Sequence, residues 1–169
     1  MKVLLAVLIC LTGSSCGYHV SGKADLLPST LKTIAVPAFN NLTNRYKLTD
    51  FVPQAISTEF ITRTRYRVVA VNRADAVLSG TVISVTFNPT VFDPANGRAS
   101  VAEVHLALQL NLVERSTGKV LYSRPRIDAK ESYQISPDPA QYFDESDAAL
   151  ERASRQLANQ VVTSILENF

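Results

Sequence analysis

The chain has 169 residues, with 17 basic side chains against 15 acidic ones and 46% hydrophobic residues. That near balance excludes a surface built for bulk attraction to nucleic acid, so no nucleic-acid partner is expected. The two cysteines, Cys10 and Cys16, both lie near the start, which excludes a disulfide framework in the rest of the chain.

Lys2 followed by the apolar run Val3 to Leu11 has the dimensions of a signal-peptide h-region. It is too short to span a bilayer, which takes roughly 20 apolar residues. Thr12-Gly13-Ser14-Ser15 then leads into Cys16-Gly17-Tyr18-His19. A cysteine directly after small residues resembles the lipobox of bacterial lipoproteins, where the thiol is acylated and the cysteine becomes the first mature residue. Gly13 stands where a lipobox typically has Leu. The expectation is a signal peptide over residues 1–15, lipidation at Cys16 and one domain over residues 16–169. A secreted protein cut near Ser15 is the alternative. A domain of that length can bury roughly 70% of its unfolded surface and needs no staple.

Thr33 to Phe39 is β-branched and apolar, ends at Asn40-Asn41, and predicts a strand whose Pro37 marks an edge or a bulge. Asn41-Leu42-Thr43 has the form of a glycosylation sequon but reads here as turn chemistry. Leu48, Phe51, Val52, Ala55, Ile56 and Phe60 predict an amphipathic helix from Leu48 to about Thr64, capped by Thr49 or Asp50. Pro53 is acceptable only in or near the first turn. Tyr66 to Val71 reads as a short strand after a basic corner of Arg63, Arg65 and Arg67, with a turn over Asn72 to Asp75.

Ala76 to Phe92 predicts a long strand, and Asp93-Pro94-Ala95-Asn96-Gly97 a hairpin. On the returning strand Val104, Leu106, Leu108, Leu110 and Leu112 alternate with Glu103, His105, Gln109 and Asn111. That pattern predicts one buried face and one wet face. Ser116-Thr117-Gly118-Lys119 makes a second hairpin, and Val120 to Tyr133 the last strand, an edge interrupted by Pro125. Period-2 alternation puts Arg124, Arg126 and Lys130 on one face with Asp128 between them, and Ile127, Ala129 and Tyr133 on the other. Leu150, Ala153, Leu157, Val161, Ile165 and Phe169 predict a closing helix that starts at about Ser146 or already at Tyr142.

The order β-α-β-β-β-α, with one short extra strand, predicts an α+β two-layer sandwich. Two helices pack on one face of a mixed four- to five-stranded sheet, and its second face stays polar. Motifs of catalysis and of cofactor or metal binding are missing from the sequence, and the histidines are His19 and His105 alone. No cofactor and no enzymatic activity are expected.

The chain resembles the LptE family, the lipopolysaccharide-assembly lipoproteins. The resemblance is carried by Cys16-Gly17-Tyr18-His19, by Leu27-Pro28-Ser29-Thr30-Leu31-Lys32-Thr33-Ile34-Ala35-Val36-Pro37 and by Phe39-Asn40-Asn41-Leu42-Thr43. It continues in Ala74 to Val82, Ala149 to Ala153 and Gln156 to Ala158. It implies a non-enzymatic lipoprotein of the outer membrane that plugs and helps assemble the LptD β-barrel and assists lipopolysaccharide transport. Gly17 rather than Asp after the cysteine agrees with outer-membrane residence through the lipid anchor. The alternative is a periplasmic lipoprotein of similar fold that binds another envelope protein or a glycan. For lipopolysaccharide, whose phosphates suit Arg and Lys, the expected contacts are Arg124, Arg126 and Lys130. Arg98 joins them if the two hairpin ends lie close. The competing role for these charges is protection of an edge strand.

Overall fold

The computed structural model describes residues 27–28, 30–136 and 139–167. Its elements are β1 (Thr33–Ala35), β2 (Asn40–Asn41), α1 (Leu48–Arg63), β3 (Arg67–Val68), β4 (Ala76–Phe92), β5 (Ala99–Glu114), β6 (Val120–Gln134) and α2 (Pro139–Glu167). A 3₁₀ turn over Val71–Arg73 joins β3 to β4. The fold is α+β with a mixed, open sheet in the order β3-β1-β4-β5-β6, and β2 pairs with β4 off this path. β1 runs parallel to β3 and β4, while β4, β5 and β6 form an antiparallel meander.

Six strands replace the expected four or five because Pro37 splits the first one. It has no N–H for a ladder, so β1 ends at Ala35, and the chain rejoins the sheet at Asn40 opposite Thr81. β1 is therefore interior, between β3 and β4, and not an edge. Phe39 crosses the gap and lays its ring on Gly80: a Cβ there would stand 2.8 Å from Cζ and closer to two other ring carbons. Only glycine admits that approach.

Helix α1 spans the expected residues, but Lys47 is its N-cap and makes no side-chain cap bond. Pro53 falls in the second turn. The Thr49 carbonyl, deprived of a donor at Pro53, accepts the Phe39 N–H at 3.5 Å, so the segment after β1 replaces the missing helical bond. Leu48, Val52, Ile56 and Phe60 are fully buried. Helix α2 begins at Pro139, earlier than expected, with the proline in the first turn, where its missing N–H costs nothing. Leu150, Ala153, Leu157, Val161 and Ile165 form its buried stripe; Phe169 lies outside the described residues.

Asn41 does act through turn chemistry. Its Oδ1 accepts from the Thr43 N–H and hydroxyl, and its Nδ2 donates to the Arg45 carbonyl. At the two hairpins Gly97 (φ 68°) and Gly118 (φ 72°) take the left-handed conformation the turns require.

Candidate functional site

The sheet has two unlike faces. Leu106, Leu108, Leu110 and Leu112 are fully buried under the helices, with Ala102, Ala129 and Tyr133 beside them. Tyr122 on β6 bonds Ser164 on α2 through its hydroxyl at 2.6 Å. Arg152 of α2 donates to Glu131 at 2.7 Å. The other face carries Thr86 and Asn88 from β4, Gln109 from β5, and Arg126, Asp128 and Lys130 from β6, all exposed. Both helices pack on the opposite side, so this face is a polar surface of hydroxyl, amide and charged groups.

His105 sits on that face opposite Thr86 and Lys130, and its Nε2 pairs with Glu103. Arg126 makes a two-pronged contact with Asp128, Nε to Oδ2 at 3.0 Å and Nη2 to Oδ1 at 2.7 Å. Half-exposed pairs of this kind contribute little stability. Neutralisation of Arg126 leaves Lys130 as the cation of this face without a carboxylate partner among the described residues.

The expected cluster does not assemble as the alternation implied. The β5–β6 register shifts between Leu108 and Leu110, so Leu108 faces Ile127 but Leu110 faces Arg124. This bulge at Pro125 inserts a residue and resets the alternation. Arg124 therefore stands on the helix-covered side, its guanidinium 5.7 Å from the Tyr122 ring centre, while Arg126 and Lys130 share the open face. Arg98 is remote. Lys130 pairs with His105, and the intervening strand at about 3.4 Å per residue puts roughly 24 Å between them. The hairpin holding Arg98 and the β5–β6 turn are at opposite ends of the sheet. Cys16, the expected lipidation site, and His19 lie outside the described residues.

Two features were not anticipated. A pocket of about 530 Å³ opens between the end of β6 and α2, lined by Tyr133, Gln134, Glu145 and Arg152 among others. Its charged groups are already engaged, Glu145 by the Ser136 N–H at 2.9 Å and Arg152 by Glu131. The second is a clip at the start of β1 and β4. One carboxylate oxygen of Asp75 accepts from the Lys32 N–H, the Thr33 N–H and the Thr33 hydroxyl, at 2.9, 2.9 and 2.8 Å. These donors, led by the Lys32 amide and the Thr33 hydroxyl, hold the Asp75 carboxyl below its ordinary value. No sequence motif marks this clip, since the partners are some forty residues apart.

The profile of the lipopolysaccharide-assembly family, LptE, matches residues 31–165. No curated protein matches the chain in sequence. Among solved structures, the rare lipoprotein B of Shewanella oneidensis is similar at 14% identity and a TM-score of 0.54, over 79% of this chain and 93% of that one. A minor lipoprotein of Acinetobacter baumannii is similar at 15% identity and a TM-score of 0.54, covering 83% and 95%. A lipoprotein B of Nitrosomonas europaea is similar at 11% identity and a TM-score of 0.53, covering 80% and 83%. At these identities the likeness is one of fold. No helix among the described residues is long and apolar enough to cross a membrane.

Proposed function

Since the chain belongs to the lipopolysaccharide-assembly family LptE, we propose that it is a non-enzymatic outer-membrane lipoprotein that plugs and helps assemble the LptD β-barrel and assists lipopolysaccharide transport. In this reading residues 1–15 are removed as a signal peptide, Cys16 carries the lipid, and residues 16–169 form the domain that occupies the barrel. The observation that carries the reading is the uncovered polar face of β4, β5 and β6. Large barrels have a polar interior, and the array of Thr86, Asn88, Gln109 and the Arg126–Asp128 pair can exchange water for hydrogen bonds with such a wall. A domain enclosed in this way is also stabilised, because the partner binds only its folded form.

For lipopolysaccharide itself, Lys130 is the cation of the set that the open face leaves without a carboxylate partner among the described residues, so it supplies the phosphate contact proposed here, while Arg126 shares the face but is paired with Asp128. Arg124 and Arg98 do not converge with them. The test of the partner is photo-crosslinking from Thr86 and Gln109 in intact cells, combined with depletion of the protein. The expected result is capture of LptD, with misassembled barrel and a leaky outer membrane on depletion. Normal barrel assembly after depletion, or crosslinks that never include the barrel, would falsify the proposal.

A further inference from the structure

The near-neutral net charge hides a segregation. At the end of the sheet where β1, β3 and β4 begin and β5 turns into β6, basic side chains collect from four separate segments. The Arg67 N–H donates to the Lys32 carbonyl, the Thr33 hydroxyl to the Arg73 carbonyl, and the Arg115 N–H to the Asp75 carbonyl. Lys32, Arg67, Arg73 and Arg115 thus surround one clip, and Lys119 joins them from the β5–β6 turn. All five are exposed. The acids nearby are Asp75, whose carboxylate holds the strand ends, and Glu114, which is engaged by the Thr117 hydroxyl.

The chain enters the fold at this same end. Pro28 and Leu31 close a turn, and Thr30 and Leu31 line a hollow with Asp75, Glu114, Arg115 and Ser116. Cys16 precedes Leu27 by eleven positions, which at most spans roughly 38 Å of extended chain. A lipid on Cys16 therefore holds this end within that reach of the bilayer, while the Asp93–Arg98 hairpin lies at the far end of β4.

We propose that this basic end is a docking surface for the anionic phospholipid leaflet in which the Cys16 lipid is inserted. The inference rests on Cys16 being lipidated, but it is independent of the barrel partner. Guanidinium groups match lipid phosphate geometry, and basic side chains close to an anionic leaflet each strengthen attachment. The tether supplies nearness, and the charges supply orientation. In this docked state, before a barrel encloses the chain, the open face stands along the membrane normal, clear of the lipid.

The test uses the full lipidated chain inserted in phosphatidylethanolamine vesicles that are plain, or carry phosphatidylglycerol, or carry lipopolysaccharide, and a headgroup-attached quencher. A fluorophore placed through Ser116→Cys reports the basic end, and one placed through Asn96→Cys reports the far hairpin. Expected is quenching at 116 but not at 96, dependent on phosphatidylglycerol and released by high salt. Replacing Lys32, Arg67, Arg73 and Lys119 with Gln lowers the docked-to-free ratio about fivefold per cation removed. Arg115 is left intact because its Nη1 also holds the Val71 carbonyl at 2.6 Å. Lys47→Gln with Arg155→Gln, on the helices, leaves the quenching unchanged. A chain that stays on the vesicles with equal signal at 116 whatever the lipid or salt overturns the docking alone. A chain that leaves the vesicles overturns the anchor and the docking together. Quenching that needs lipopolysaccharide in place of phosphatidylglycerol also overturns it. The salt response of the unaltered chain decides the question even if the multiple variant fails to fold.

Discussion

Leu108 and Gln109 are neighbours on β5, yet one is fully buried beneath the helices and the other faces solvent. The same strand serves stability on one face and is left available on the other. The contrast shows where substitution will be felt. Leu108→Ala removes buried methyl groups from a close-packed layer and is expected to cost about 2–5 kcal/mol. Gln109→Ala is expected to stay within about 0.5 kcal/mol. Chemical denaturation of the two variants checks the pair, and equal losses would mean that the open face is part of the core.

Gly80 sharpens the comparison within β4. It faces Leu110 across the ladder, on the covered side, where the Phe39 ring occupies the place of a side chain. Gly80→Ala forces that ring aside and is expected to cost about 1–3 kcal/mol by overpacking. Ser79→Ala, one residue away on the exposed side, should be close to neutral. If Gly80→Ala proves as stable as the unaltered protein in a melting experiment, Phe39 is free to relocate and does not bridge the gap after β1.

The covered face was legible in the sequence because its rule is local: alternating Leu on β5 and a 3.6-residue stripe on α2 need no knowledge of partners. The bounds of β4 were legible too, from the turn residues after Phe92. What escaped was set by cross-strand register. Nothing in Arg124-Pro125-Arg126 announces that the bulge moves Arg124 to the helix side, and a one-residue slip exchanges faces. The basic end escaped for a similar reason, since parallel pairing of β1 with β3 and β4 brings together residues far apart in the chain. Only the Arg63, Arg65, Arg67 corner hinted at it.

A loss smaller than those at Leu108 and Gly80 is expected at Asp75, and it qualifies the contrast, because this residue is exposed yet structural. It precedes the buried Ala76 and points away from the core, but its carboxylate fastens the start of β1 to β4. Its carboxyl is held below the ordinary value of 3.8 by those donors, so the folded state favours the ionised form. The stabilisation is therefore present above pH 3.8 and is lost as pH falls through the lower folded-state value. Exposure to solvent weakens it, so Asp75→Asn, which keeps an acceptor but removes the charge, is expected to cost at most about 1 kcal/mol at neutral pH. The cost should shrink as the medium is acidified and vanish once the native carboxyl is protonated. Urea unfolding of both proteins between neutral and strongly acidic pH measures the difference directly. A difference that does not change with pH would show that the hydrogen bonds, and not the charge, hold the clip.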